Sequence, residues 1–335
     1  MKAIIVGGGI GGLTAAIALR RAGVEAVVFE RAGEMREIGA GISIWANAVK
    51  ALEKIGLSDA VCGGGQQEIG GAIRTASGRK LMALPVGALE RRFGPSVVTT
   101  RPHLQRALLS VLPETALRLG AEFTGFRQDG SGVTALFADG TEEGGDLLVG
   151  ADGLNSTVRA QLFGEEHPRY AGFTAWRGLV YLHNGPEDMG FEAWGKGEVF
   201  GVAPIGGGRF YWFATKNTSE GGRAGPDGHK AELLERFGSW VEPVPTIIRA
   251  AAEEEILRHD VYDRDPLSQW GKGRVTLLGD AAHPMMPNLG QGACQAIEDA
   301  AALAECVKMQ GGVIVALKLY EERRKDRADM IVRRS

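Results

Sequence analysis

The segment from Ala3 to Glu30 constrains this 335-residue chain more than any other. Ala3 to Val6 is a short apolar run, Gly7-Gly8-Gly9-Ile10-Gly11-Gly12 follows at once, and an Ala- and Leu-rich helical stretch from Leu13 to Ala22 is stopped by Gly23. A second apolar run, Ala26 to Phe29, ends at Glu30. Strand, G-x-G-x-x-G, helix, strand and acid in this order describe two adjacent parallel strands with a dinucleotide pyrophosphate at the helix N-terminus. Gly7 serves the tight turn. Gly9, with Ile10 and Gly11 beside it, lets the pyrophosphate approach the backbone, and Gly12 allows close helix packing. Glu30 is placed for a ribose hydroxyl pair; Arg31 next to it either contacts adenine or is solvated.

Two later segments repeat the pattern of a strand ending in an acid. Leu147 to Gly150 is followed by Ala151-Asp152-Gly153, and Leu154 to Arg159 opens another helix. Val275 to Leu278 reads as a buried strand, with Gly279 and Asp280 at its carboxyl end, where open α/β sheets bind ligands. Pro284 and Pro287 are expected to hold the next loop extended. Gly290, Gln291 and Gly292 then precede an apolar-periodic helix, so unpaired amides through Ala293 should face outward and favour negative charge. Between these segments, the Gly-rich stretch Arg36 to Ile44, with Gly41 near its end, is suited to lying along a flat ring system or to serving as a plain connection. Trp45 to Ile55 reads as a helix. Thr100 caps a helix running to Leu112, with Pro102 in its first turn. Arg101 at that helix start is placed to reach a ribityl or phosphate oxygen.

The remaining chain reads as β-structure. Gly71 to Leu84 forms two strands across a Ser77-Gly78 turn, Glu122 to Phe137 a meander, and Asp139-Gly140 a hairpin turn. From Tyr170 to Val261 aromatic and small residues alternate in strand-length runs that include Trp176, Trp194, Phe200, Tyr211 and Trp212. These are enough strands to cover an aromatic-sized pocket. The fold class expected is therefore mixed α/β: a Rossmann-like cofactor domain interleaved with a substrate domain on a mostly antiparallel sheet covered by helices.

Composition narrows the function. A net charge of -3 without a basic stripe argues against nucleic acid as the main partner. Three cysteines, Cys62, Cys294 and Cys306, give neither a disulfide framework nor a C-x-x-C pair, and six histidines include no H-x-x-x-H, so no metal site is expected. No apolar run is long enough to span a membrane and the amino terminus enters a strand directly, which suggests a cytoplasmic setting.

Taken together, GGGIGGL with Glu30, GADGLNSTVR (Gly150 to Arg159), LLGDAAHPMMPNLGQGACQAIEDA (Leu277 to Ala300) and YAGFTAWRG (Tyr170 to Gly178) resemble the single-component FAD-dependent aromatic hydroxylases. The branch they are most similar to contains zeaxanthin epoxidase and the salicylate, 3-hydroxybenzoate and urate hydroxylases. The resemblance implies FAD as cofactor, NADH or NADPH as a transient electron donor, and O2 transfer through a flavin C4a-hydroperoxide to an aromatic or conjugated small molecule. It implies that Gly7, Gly9 and Gly12 hold the pyrophosphate, Glu30 the ribose, Arg101 the middle of the cofactor and Asp280 its ribityl or pyrophosphate region. The Gly290 to Ala293 amides would face the flavin pyrimidine, Asp152 would act by ordering its loop, and Pro287 would line the ring face where oxygen adds. Arg177 or Tyr211 is placed to orient a phenolate or carboxylate and His283 to polarise a hydroxyl, with a purely structural role as the alternative for each of the three. Urate-oxidising relatives carry an arginine early in the strand before Pro204; Gly197 to Pro204 here has none, which speaks against urate.

The implied division is a discontinuous FAD domain of residues 1–70, 98–160 and 263–310, with a substrate domain of 71–97 and 161–262. Residues 311–335 form a C-terminal helix with a solvated basic face, beyond which relatives continue, so a truncated chain is expected, as monomer or homodimer. An FAD-dependent reductase or dehydrogenase on the same fold is the alternative, and a flavin-binding sensor or pigment scaffold the non-enzymatic one.

Overall fold

The computed structural model describes residues 1–35, 40–67, 71–183, 190–223, 225–309 and 311–335. Arg36 to Gly39, the first half of the Gly-rich stretch singled out above, lie outside the described residues.

Lys2–Val6 pairs in parallel with Glu25–Glu30 on one side and Leu147–Gly150 on the other. Val275–Leu277 adds in parallel to Leu147–Gly150, Leu117–Leu119 extends the far side, and antiparallel Gly271–Lys272 closes the near edge, giving six strands. Strands covered on both faces read as continuous apolar runs, which is why IIV, LLV and VTL carry no alternation. Because the four central strands are parallel and adjacent, Glu30, Gly7, Ala151-Asp152 and Gly279-Asp280 all emerge at one end of the sheet. Helices Ile10–Arg21 and Gly292–Lys308 pack together over it, with only 2.8 Å between Leu278 Cδ2 and the point a side chain on Gly11 would occupy.

A seven-stranded, mostly antiparallel sheet is built around the long strand Arg169–Tyr181, which lies between Leu257–Asp263 and Arg209–Asn217. Its two faces differ. Trp176, Trp212, Phe200 and Phe210 point one way, are fully buried and pack under helices Gly228–Phe237 and Val244–Ala250. Arg177, Tyr211 and Phe213, one residue out of phase, point the other way, as the period of two requires. A small sheet, Gly41–Ile44, Val97–Thr100 and Gln66–Gln67, links the two large ones through contacts with Glu198–Gly206.

Buried apolar residues form two separate clusters, one under the parallel sheet and one on the antiparallel sheet. The last helix, Val313–Arg334, joins the first cluster through Val313, Ala316, Leu317, Tyr320 and Ala328. Its expected solvated basic face is therefore only partly solvated. Tyr320, Arg324, Ala328 and Ile331 recur at helical spacing and are buried, with Tyr320 Oη donating to Leu277 O at 3.1 Å. Among the described residues no helix is long and apolar enough to cross a membrane, and no group of three or more His, Cys, Asp or Glu is arranged to hold a metal ion.

Candidate active site

The glycines of the first loop divide into two kinds. A side chain on Gly7 (φ 106°) would collide with Ala151 O, and one on Gly12 with Gly7 O, so both positions are closed by the fold. Gly9 is different: nothing lies within 4 Å of where its Cβ would be, although its backbone (φ -72°, ψ 179°) suits any residue. It is the N-cap of Ile10–Arg21, without a side-chain cap and without an acid in the first turn. The positive end of this helix therefore faces an open cradle that a side chain would fill, which is the geometry a pyrophosphate needs. Glu30 closes the cradle, accepting from Gly8 N at 2.6 Å and Ala32 N at 2.9 Å. Beyond it an open depression of about 530 Å³ is lined by Arg31, Ala32, Gly33 and Glu34.

Asp152 accepts from Ser156 Oγ (2.5 Å), Thr157 N (2.8 Å) and Val158 N (3.2 Å). Burial pushes its carboxyl up, and these bonds oppose the shift. Its role in the structure is thus to order the loop before helix Thr157–Phe163. From that helix the buried Arg159 donates to Ala281 O (3.4 Å) and Ala282 O (3.3 Å), tying the Asp152 segment to the Asp280 loop.

Asp280 is exposed just beyond the end of Val275–Leu277, and among the described residues no hydrogen-bond donor reaches its carboxylate. Burial raises its pKa, while the charges of His283 and Arg101 oppose the rise. Arg101, exposed at the first turn of Arg101–Val111, is positioned by Thr100, whose Oγ1 accepts from His103 N at 3.2 Å, and by its own amide on Ala40 O at 3.0 Å. Gly292, at the N-terminus of Gly292–Lys308, lies across from Asp280, with 4.0 Å between Asp280 Oδ1 and the Cβ position of the glycine.

Three expectations need correction. His283 does not face the cleft as a hydroxyl-polarising group: it is 1% exposed, and its Nε2 lies 2.6 Å from Asp299 Oδ2, beneath Trp270. The physical reason is the buried Asp299, which also accepts from Gly279 N (3.1 Å) and Arg324 Nε (2.8 Å). Burial alone would raise the Asp299 carboxyl, but His283 and Arg324 hold it down at about 2; burial would lower His283, but Asp299 outweighs it and raises the imidazole. His283 is a buried strut bonded to Asp299. Second, Gly290 N donates to Pro287 O at 2.8 Å and Gly290 adopts φ 60°, so the free amides at this helix end are those that follow it, including Gly292 and Ala293. Third, Pro287 is exposed and starts a 3-10 turn, Pro287–Leu289, where an extended loop was expected.

The sheet face opposite its aromatic core closes the other side of the site. Gly41 abuts Tyr211, whose ring and Cβ a side chain on Gly41 would strike. Burial raises the Tyr211 phenol, opposed by the charge of Arg177. Arg177 is half-buried and has no carboxylate partner among the described residues. His259, on the neighbouring strand opposite Ala175, is held down to about 4 by burial and by Arg177, so its imidazole is neutral. Trp45, which sequence reasoning passed over, donates its backbone N–H to Cys294 Sγ (3.4 Å), and its buried indole nitrogen has no partner among the described residues. That nitrogen is 2.9 Å from the Cβ position of Gly290. Asn47, also missed, donates to Gln291 Oε1 at 3.0 Å and to Glu298, joining the Trp45 helix to the helix that begins at Gly292. No sequence signal marks Asn47 or His259.

The open helix N-terminus at Gly9, the Asp280 carboxylate and the helix end at Gly292 therefore lie at one end of the parallel sheet, and Tyr211 packs against Gly41. The FAD binding domain family model matches residues 1–335, and the chain belongs to that family. It is similar to aurachin C monooxygenase/isomerase of Stigmatella aurantiaca, 46% identical over 99% of this chain and 87% of that protein. It is also similar to the FAD-dependent urate hydroxylase of Klebsiella pneumoniae, 35% identical over 99% of this chain and 88% of that protein. The structure of K. pneumoniae HpxO complexed with FAD and uric acid superposes with a TM-score of 0.94 at 35% identity, covering 100% of this chain and 86% of that one. The chain is an FAD-dependent monooxygenase, and the oxygen-transferring expectation stands over the reductase alternative.

Proposed function

We propose that the enzyme uses NADH or NADPH and O2 to hydroxylate or epoxidise an aromatic or conjugated small molecule carrying an acidic oxygen, held between Arg177 and Tyr211. The observation that carries the substrate reading is Arg177, a half-buried cation without a carboxylate partner among the described residues, on the aromatic face beside Tyr211 and Phe213. An unpaired cation in such surroundings is costly unless a ligand anion meets it. His259, being neutral, does not compete with Arg177 for that anion.

The residues present fit FAD. In this reading the adenosine lies beyond Glu30, near Arg31, and the pyrophosphate at Gly9, Ile10 and Gly11. Arg101 and Asp280 meet the middle of the cofactor, and the Gly292 and Ala293 amides its pyrimidine end, where the helix terminus stabilises negative charge. Gly41 and Pro287 flank the ring system. When bound, FAD supplies the electron transfer and oxygen activation. The chain's own part is to hold the substrate with Arg177 and Tyr211, and to exclude water with Phe213 and Trp45. The two apolar clusters support the division into an FAD domain (1–70, 98–160 and 263–310) and a substrate domain (71–97 and 161–262). The partners are small molecules, not nucleic acid, in a cytoplasmic monomer or homodimer. Urate is not proposed, because Glu198–Gly206 carries no arginine.

The test is kinetic. Arg177→Ala should raise KM for phenolic or carboxylated substrates at least tenfold with FAD content kept. A substrate whose turnover ignores Arg177 and Tyr211 would return both to the sheet's structural inventory.

A further inference from the structure

We infer that the arm Arg79–Phe93 is a docking surface for an anionic lipid bilayer. Strand Lys80–Leu84 is the edge of the seven-stranded sheet, and all five of its residues are exposed. Leu81 is 50% exposed, Met82 49% and Leu84 38%, so apolar side chains leave both faces of the strand and no core asks for them. The helix that follows at once, Val86–Phe93, tucks Val86 inward and exposes Leu89 (43%) and Phe93 (45%), four residues apart on one face. Single exposed apolar residues are ordinary; a cluster on one projecting arm marks an interaction surface.

Charge selects the partner. The arm reads RKLMALPVGALERRF, with Arg79, Lys80, Arg91 and Arg92 against Glu90 alone. Among the described residues none of these four cations has an ion pair, and Glu90 is engaged by Gln67 Nε2 at 3.2 Å. A second copy of the chain meeting this arm across a two-fold axis would bring the same cations together, and like charges in contact oppose association. A bilayer with anionic headgroups offers both what the cations lack and an apolar layer for Leu81, Met82, Leu89 and Phe93. Among the described residues no helix is long and apolar enough to cross a membrane, and the contact inferred here is a peripheral, reversible one. Helix Val86–Phe93 packs on Ala46–Lys54, which begins directly after Trp45, so the docked face adjoins the site without depending on which substrate it takes.

The test is flotation of the full-length, FAD-loaded protein with phosphatidylcholine vesicles, alone or mixed with phosphatidylglycerol in equal parts, at low and high salt. Binding to the mixed vesicles only, released by salt, is expected. R91Q/R92Q should lower partitioning roughly thirty-fold, and L89S/F93S should reduce it to the level of phosphatidylcholine alone. Flavin content and thermal melting of each variant confirm that the fold is intact. No binding to mixed vesicles at low salt, or binding undiminished in both variants, overturns the inference. Sedimentation equilibrium showing a dimer that L89S/F93S dissociates would overturn it in favour of a contact between copies.

Discussion

Replacing Arg324 with Met tests whether the C-terminal helix positions the loop that carries Asp280. Arg324 is 5% exposed and donates to Asp299 Oδ1 (Nε, 2.8 Å), Glu298 Oε2 (Nη1, 2.5 Å) and Gln295 Oε1 (Nη2, 2.7 Å). Asp299 in turn holds Gly279 N and His283, the two residues that bracket Asp280. Breaking a buried pair by removing one partner costs about 3–5 kcal/mol. Here Asp299 keeps His283, and Glu298 keeps Arg327 at 3.0 Å, so the lower end, about 3 kcal/mol, is expected. For a chain of this size, whose unfolding entropy is about 0.7 kcal/mol/K, that corresponds to a fall in Tm of about 4 °C. Urea unfolding measures the stability, and quenching of FAD fluorescence measures cofactor affinity. Because Asp299 holds Gly279 and His283 on either side of Asp280, affinity should fall with stability, and the double variant R324M/D299N should cost less than the two singles summed, since the stranded charge is removed with its partner. A Tm within 2 °C of the parent, or additive losses in the double variant, would refute the relay.

Gly9→Val should leave the apo-protein's unfolding within about 0.5 kcal/mol of the parent, since the space is open, while abolishing the yellow colour; retained flavin would show that the cradle is not the pyrophosphate site. Gly12→Ala should instead fail to fold stably, because its Cβ meets Gly7 O, and a normally melting Gly12→Ala protein would contradict that packing. His283, raised above 6.5 by Asp299, contributes stability that is full below pH 6.5 and is lost as pH rises through its folded value; His283→Gln should remove this alkaline decline from the Tm-pH profile. Asp299 contributes stability present above pH 3.8 and lost as pH falls toward 2, so Asp299→Asn should flatten the acid limb of urea-monitored stability.

The fold was legible where local pattern and long-range pairing agree. Ala3 to Glu30 announces its strands, its turn and its helix because each glycine has a separate steric task, and the strand-then-acid runs at Asp152 and Asp280 announce that the chain returns to the same sheet. The site was legible only in part. His283 sits in a loop next to Asp280, so proximity in sequence suggested the cleft, but its orientation depends on a carboxylate sixteen residues away on a helix and an arginine from the last helix. The charged run YEERRKDRADMIVRRS hid the buried stripe Tyr320, Arg324, Ala328 and Ile331, which its spacing did contain. Trp45, Asn47 and His259 reach the site through pairings that leave no trace in composition or spacing.

The central claim is tested most directly by NADH and NADPH oxidation with the FAD-loaded protein across phenols, hydroxybenzoates, polyenes and purines, with hydrogen peroxide and product assayed in parallel. The account predicts that an acidic aromatic or conjugated compound stimulates oxidation with little peroxide, that one atom of ¹⁸O2 enters its product, and that Arg177→Ala weakens the stimulation. Stimulation accompanied by stoichiometric peroxide and an oxygen-free product for every compound would contradict it.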